Sequence, residues 1–352
     1  MNLIRPLLDT VIQQGASDLH LSVGRAPCLR LHGQMQSLEA ETLTETSVEQ
    51  LVREITPDRN WRELEEVGTT DFGLAFEDKA RFRVSVFKQK GAYQAALRLI
   101  PNDLLSFDQI GLPDSIKPLL SKTRGLILVT GPTGSGKTTT LASMIDYVNE
   151  TLRRHIVTVE DPIEYYHTHK KSLVTQREVG NDTTTFAEAL RRVLRQDPDV
   201  ILLGEMRDLE TIHAAISAAE TGHLVFGTLH TTGSARTMDR IIDAFPPDQQ
   251  EQVRAQLAVS IIAVISQVLL PRKDGQGRCA AFETMLMTPA IENHIRKNET
   301  FKIFSVIQTN RRLGMVLLDD SLHDLYKAGK ISAEVALEVA QHPRDMAEKL
   351  GL

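Results

Sequence analysis

One stretch of this sequence has residue types and spacing suited to a single kind of chemistry: Gly131-Pro132-Thr133-Gly134-Ser135-Gly136-Lys137-Thr138. The pattern G-x-x-x-x-G-K-[ST] is that of the phosphate-binding P-loop. Its glycines let backbone N–H groups close around an anion with no Cβ in the way. The apolar run 126–129 predicts a buried strand before the loop. Leu141, Met144, Ile145, Val148 and Leu152, apolar at helical spacing, predict a helix after it. That helix directs its positive end at the same anion. In such a loop Lys137 reaches the β- and γ-phosphates and Thr138 offers its hydroxyl to Mg²⁺. The expected ligand is ATP or GTP with Mg²⁺.

In open α/β sheets, ligands collect at the carboxyl ends of the strands. Three further predicted strands end in polar groups. The strand at 155–159 runs into Glu160, Asp161 and Glu164, and the strand at 200–203 runs into Gly204 and Glu205. His223 and His230 flank the strand at 224–229. P-loop enzymes need a carboxylate near the metal and a group that orients the attacking water. Asp199 lies at the wrong end of its strand for this. Glu205 ends that strand and is one methylene longer than Asp, so it acts through a water and is assigned as general base. Glu164 is assigned to Mg²⁺ positioning, also through water. Arg207 adds positive charge close by in sequence, whereas Arg191 and Arg192 read as a solvated helix face.

The elements that must position these groups fall into two domains. Residues 1–105 read as a small α/β domain without a phosphate motif, with helices expected at its start, at 48–55 and at 61–67. Strands are expected at 17–23 and 29–33. Its clearest feature is a hairpin with a two-residue turn at Lys90 and Gly91. Phe82 then faces Leu99, Val84 faces Leu97 and Val86 faces Ala95, so the apolar faces match. The same register sets Arg83 opposite Arg98, an unfavourable pairing that an anion between them would relieve. Residues 106–113, following Pro101-Asn102-Asp103 and closing on Gly111-Leu112-Pro113, are punctuated like a linker. From 114 to 352, alternating strands and helices imply a mostly parallel sheet. There Thr185 with Glu188 reads as a capping box and Asp208 as an N-cap. The apolar run 255–270 reads as a buried helix. The chain from 233 onward reads as mostly helical, with a short apolar return at 280–282.

The 352 residues are 41% hydrophobic and 24% charged, as in ordinary globular proteins. A net charge of -6 argues against a nucleic-acid partner. Cys28 and Cys279 are in no metal-ligand spacing, which fits a reducing cytoplasm. No signal peptide and no transmembrane segment are expected, so any membrane contact is peripheral.

Taken together, these stretches resemble the ATPases that drive type IV pili and type II secretion, nearly end to end. The resemblance rests on the P-loop and on the acidic box Glu160-Asp161-Pro162-Ile163-Glu164. It rests equally on the Walker B stretch from Asp197 through Glu205 to Asp208, and on the His box from Thr221 through His223 to His230. The opening Ala16-Ser17-Asp18-Leu19-His20-Leu21-Ser22-Val23-Gly24, the short length and the lack of a tetracysteine motif resemble the PilT-type pilus retraction ATPases in particular. The resemblance implies a PAS-like N-terminal domain, a RecA-like P-loop ATPase domain and a homohexamer at the inner membrane that acts on a platform protein of the pilus. It also implies nucleotide held between the domains, with Arg83 and Arg98 reaching the γ-phosphate. Carried onto this chain, the catalytic set is Glu205, Glu164, Arg83, Arg98 and His230. The nucleotide set is Gly131, Thr133, Gly134, Ser135, Gly136, Lys137, Thr138 and Thr139 with Glu160, Arg207 and His223, and the metal set is Thr138 and Glu164. One stretch departs from the family. Where retraction motors read AIRNLIRE, residues 290–297 carry Glu292, His294 and Lys297 in place of an Arg, a Leu and an acid. That leaves assembly, secretion or accessory retraction as alternative roles.

Overall fold

The computed structural model describes residues 3–31, 33–77, 79–100 and 104–352. The chain divides into two compact units. The first comprises Met1–Asp103 with Pro162–Tyr166, and the second Leu104–Asp161 with His167–Leu352.

In the first unit, helix α1 (Arg5–Gln14) leads to strands β1 (Asp18–Leu21), β2 (Cys28–Leu31) and β3 (Gln34–Ser37). Helices α2 (Glu45–Ile55) and α3 (Asp58–Val67) follow, then β4 (Thr69–Phe76), β5 (Ala80–Gln89) and β6 (Ala92–Ile100). The strands form one antiparallel sheet in the order β3-β2-β1-β6-β5-β4. Thr44 starts α2 by accepting a hydrogen bond from Ser47 N, and Ser47 returns one from the Thr44 backbone. One face of the sheet is apolar: Leu19, Leu29, Phe72, Phe82, Val84 and Leu97 pack in one cluster with Leu8 and Val11 of α1, Val48 and Val52 of α2, and Leu64 of α3. The pleat turns the alternate residues, among them Asp18, Arg30, Arg83, Ser85 and Arg98, to the opposite face. The β5–β6 hairpin has the register read from the sequence, with Phe82 opposite Leu99, Val84 opposite Leu97 and Arg83 opposite Arg98. Lys90 (φ 51°) and Gly91 (φ 85°) form its turn. Two positive φ values in succession give the twist that tight hairpins prefer. His32, in the second expected strand, and residues 101–103 lie outside the described residues.

In the second unit, α4 (Phe107–Ile110) and a 3₁₀ segment (Asp114–Ser121) precede β7 (Gly125–Thr130), α5 (Lys137–Thr151), β8 (His155–Glu160) and β9 (Leu173–Glu178). Then come α6 (Phe186–Val193), β10 (Val200–Leu203), α7 (Leu209–Glu220), β11 (Leu224–Leu229), α8 (Ser234–Asp243) and α9 (Gln250–Ser260). Strands β12 (Ile261–Pro271) and β13 (Arg278–Leu286) complete the sheet. Helices α10 (Pro289–Arg296), α11 (Ile303–Thr309), α12 (Leu318–Lys327), α13 (Ala333–Val339) and α14 (Pro343–Leu350) end the chain. The strand order is β13-β12-β7-β11-β10-β8-β9, parallel throughout except for β13 at one edge. Alternate residues of each strand feed opposite layers. Leu126, Leu128, Val157, Ile201 and Val225 pack with α6 to α11, whereas Ile127, Val129, Ile156, Leu202 and Phe226 pack with α4, α5 and the 3₁₀ segment. This is a RecA-like P-loop unit, and it follows a smaller PAS-like α/β unit.

Three expectations are corrected. The segment 106–113 is not a free linker: Ser106 caps α4 through Gln109 N, and Phe107 and Leu112 are buried in the second unit's core. The run 255–270 is not one helix, because α9 ends at Ser260 and β12 begins at Ile261. Ile261, Ile262, Val264, Ile265 and Val268 are β-branched, which favours a strand. A strand buried on both faces shows no alternation to separate it from a helix. At α6, Thr185 accepts from Glu188 N, but the Glu188 carboxylate turns to Arg192 at 2.7 Å, so the box is half made.

Ile265 is fully buried on β12. Ile265→Ala is expected to lower stability by about 2–5 kcal/mol, the usual range for truncating a packed core side chain, as read from denaturant unfolding of the intact protein.

Candidate functional site

The loop that joins β7 to α5 is built by close approach. Gly131 has φ 143°, and a Cβ there would lie 2.2 Å from the carbonyl oxygen of Gln267 on β12, so no side chain fits. Gln267 is itself buried, and its Nε2 donates to the Ser135 carbonyl at 2.6 Å. Lys137 folds its ammonium onto the carbonyls of Gly131 and Pro132, at 2.9 and 3.0 Å. Ser135 Oγ is buried without a hydrogen-bond partner among the described residues. A narrow loop with an orphan hydroxyl, a cation and the first turn of α5 fits an anion. On the α5 side a cavity of about 880 Å³ opens, bounded by Gly136, Thr139 and Thr140 and walled by Leu269, Phe282 and Leu325, with Arg272, Arg278 and Lys330.

On the loop's other flank a cavity of about 520 Å³ brings together Thr133, Glu205, Arg207 and His230, with Arg240 of α8. Strand order explains the grouping. β11 lies between β7 and β10, so His230, which follows β11, sits between the P-loop and Glu205. His230 Nε2 is 2.8 Å from Glu205 Oε1, and Arg207 Nε makes a close ion pair with the same carboxylate oxygen. The Glu205 side chain is 18% exposed. Burial pushes its carboxyl up, but Arg207 and His230 outweigh this through hydrogen bonds and charge and hold it below the usual carboxylate range. It is therefore ionised at neutral pH and already oriented.

Glu160 ends β8 two strands from β11 and is buried, and its Oε1 accepts from Thr158 Oγ1 at 2.6 Å and Gln176 Nε2 at 3.2 Å. The Glu164 segment belongs to the first compact unit, as do Arg83 and Arg98. His223 is a correction. It precedes β11, and its carbonyl accepts from Gly125 N at the entrance of β7. At about 3.3 Å per residue, the length of β11 separates it from His230, so this unit does not bring it to the P-loop. Its ring bonds the Ala218 carbonyl at 3.0 Å instead. The arginine pair gains an unforeseen partner. Across adjacent strands the row reads Arg30, Asp18, Arg98, Arg83. Asp18 Oδ1 accepts from Arg98 Nε at 3.0 Å, and Arg30 Nε lies 3.7 Å from Asp18 Oδ2. The Arg98 charge is thus met from within its own sheet. Arg83 is exposed and makes no side-chain ion pair among the described residues. Arg240 and Gln267 were not singled out from the sequence. Gln267 was visible only as a polar interruption in an apolar run, and nothing local marks Arg240.

The family described as "Type II/IV secretion system protein" matches residues 1–337. The chain is 49% identical to the "Type IV pilus retractation ATPase PilT" of Pseudomonas aeruginosa, over 97% of this chain and 99% of that one. It is 46% identical to a "Twitching motility protein" of Neisseria gonorrhoeae, over 91% of this chain and 86% of that one. With the "Type IV pilus ATPase PilU" of Pseudomonas aeruginosa it shares 37% identity, over 97% and 89%. Among solved structures it superposes on that of the pilus retraction motor PilT with bound ADP, with a TM-score of 0.91, 46% identity and 98% of both chains covered.

Arg207 holds the Glu205 carboxylate in its ionised form, so Arg207→Ala is expected to raise the Glu205 pKa. The acid limb of the kcat–pH profile should then move toward neutral pH, and the gap from the parent profile should narrow as salt is added.

Proposed function

The chain belongs to the Type II/IV secretion system protein family, and from that footing we propose how its groups divide the work. It is an ATPase of the pilus-retraction type: hydrolysis of ATP to ADP and phosphate powers withdrawal of type IV pili and so twitching motility. The observation that carries the catalytic reading is the cavity shared by Thr133 of the P-loop, Glu205 and His230. The P-loop amides, Ser135 and Lys137 receive the β- and γ-phosphates. To do so, Lys137 exchanges the Gly131 and Pro132 carbonyls for phosphate oxygens. Gly134, Gly136, Thr138 and Thr139 complete the cradle, and the larger cavity beside Thr139 and Thr140 takes the base and ribose. Glu205 orients the attacking water and accepts its proton, with His230 and Arg207 fixing the carboxylate. Glu160 supports the neighbouring strand end.

Among the described residues no group of three or more His, Cys, Asp or Glu could hold a metal by itself. This suits Mg²⁺, which is normally bound by phosphates, water and one or two protein oxygens. Thr138 would hold it directly and Glu164 through water. When bound, it neutralises charge on the phosphates. Arg83 and Arg98 act as the charges that reach the γ-phosphate. Arg83 is the stronger candidate, since Asp18 already engages Arg98. The working form is a homohexamer using ATP and Mg²⁺ in the cytoplasm. It is peripheral at the inner membrane and acts on a platform protein of the pilus. No described helix is long and apolar enough to cross a membrane.

A second reading, accessory retraction motor, rests on α10. Glu292 pairs with Arg296 at 2.6 Å on the same helix, and His294 Nδ1 lies 3.1 Å from Glu299 Oε2. Glu292 and His294 are satisfied locally and Lys297 is exposed, so the helix forms with a different charge pattern.

Glu205→Gln is expected to lower kcat at least about 100-fold with little change in KM, as for loss of an acid–base group; phosphate release at the parent rate would remove the assignment. Arg83→Ala should lower kcat roughly 10³-fold or more and Arg98→Ala less, in the same assay. A deletion strain should carry more pili and lose twitching. Loss of all pili would instead indicate an assembly motor, and unchanged pili with weakened retraction an accessory one.

A further inference from the structure

One buried charge in the second unit takes no part in the chemistry above. Glu283 lies on β13 and is 3% exposed. Cross-strand it faces Ser266 of β12, which in turn pairs with Thr130 at the end of β7. A carboxylate this deep persists only when its oxygens are met. Oε1 accepts from Ser234 N at 2.6 Å, the first residue of α8, where the helix presents its positive end. Oε2 accepts from Gln341 Nε2 at 3.4 Å. Ser266 Oγ accepts from Gly233 N at 2.9 Å. Thr231 and Thr237 share a hydroxyl–hydroxyl bond of 2.8 Å, and Thr237 also donates to the Gly233 carbonyl at 2.8 Å.

Apart from the bond to Gln341, these bonds act on one short loop, residues 230–234. Its first residue is His230, whose ring holds Glu205. We propose that Glu283 is a positioning residue for ATP hydrolysis. Its carboxylate anchors the far end of the His230 loop at the start of α8, and the loop keeps the imidazole on Glu205. This rests on the reading that His230 and Glu205 serve hydrolysis. A formal charge is suited to the task, because a charge-assisted bond to a helix N-terminal amide is shorter and stronger than a neutral one. The carboxylate also ties the site to the chain's last helices. Asp319 of α12 accepts from the backbone N–H groups of Gln341 and His342, at 2.7 and 2.9 Å, and so sets where Gln341 meets Glu283.

The test is steady-state ATP hydrolysis by the full-length assembled protein, with thermal unfolding in parallel, for Glu283→Gln, His230→Ala and the double variant. Glu283→Gln should lower kcat roughly 10–100-fold, the scale of a misplacement of about 1 Å, with KM for ATP within about twofold. The double variant should be no slower than His230→Ala alone, since Glu283 acts through that ring. Should Glu283→Gln not fold, Ser234→Pro replaces it. This change removes the donated N–H at a helix position that tolerates proline, and the same selective fall in kcat is expected. An unchanged kcat overturns the proposal, as do losses that multiply in the double variant or a joint collapse of kcat, KM and Tm. If His230→Ala alone leaves kcat unchanged, the reading of the site fails and this inference falls with it. If His230→Ala is slow and Glu283→Gln is not, only this inference falls.

Discussion

Strand order along one edge of the parallel sheet decides where every group of the second unit's site can stand. β11 is seated between β7 and β10, so the residues leaving these three strands are neighbours: the P-loop, His230 and Glu205. A parallel ladder sets all three ends at the same level. Backbone hydrogen bonds, rather than flexible side chains, therefore fix the spacing between phosphate cradle and carboxylate. The same edge continues on the other side, where β12 underlies the loop through Gln267 and β13 contributes Glu283. Polar side chains in such a buried place are costly unless satisfied. Here the Gln267 Nε2 and the Glu283 carboxylate are met by loops that belong to the site, whereas Gln267 Oε1 has no partner among the described residues.

Much of this was legible in the residues. The P-loop announces itself, and the 81–100 hairpin could be registered because its apolar residues match on one face only. Glu205 was found because it ends an apolar run. What escaped notice did so for physical reasons. β12 is buried on both faces, so its sequence has no period, and reading it as a helix hid Ser266 and Gln267 as supports of the loops. Glu283 and Ser234 are 49 residues apart, and no local pattern joins them. His223 entered the nucleotide set with the His box of the resemblance, yet it stands at the entrance of β11 and His230 at its exit. In a parallel ladder the entrance and exit of β11 are a strand length apart.

The first unit shows the limit of arguing from like charges. Arg83 opposite Arg98 invited an anion, and the sheet supplies one in Asp18. Burial pushes the Asp18 carboxyl up, but Ser17 and Arg98 draw it down further, so it stays ionised beside the pair. Half of the electrostatic demand is thus met inside the domain, and the two arginines are not equivalent. Arg98 is tethered, whereas Arg83 is exposed and retains its charge for a partner. A cation proposed to engage phosphate only when nucleotide arrives is better left unpaired, because breaking an existing ion pair subtracts from what the new contact gains.

The departures in α10 lie on a helix that carries none of the groups proposed for hydrolysis. Glu292, His294 and Lys297 replace the charge pattern of retraction motors, yet α10 still begins at the Thr288 cap and buries Ile291 and Ile295 in the second unit's core. Glu292 and Arg296 neutralise each other one turn apart, a pairing worth a few tenths of a kcal/mol on an exposed helix. Stability therefore does not select this pair strongly, and the groups proposed to bind nucleotide are on other elements. A surface that changes charge while its scaffold stays fixed alters what the helix can meet. The family's chemistry can persist unchanged while the partner of the motion differs, which is why pilus behaviour, and not phosphate release, separates the principal retraction motor from an accessory one.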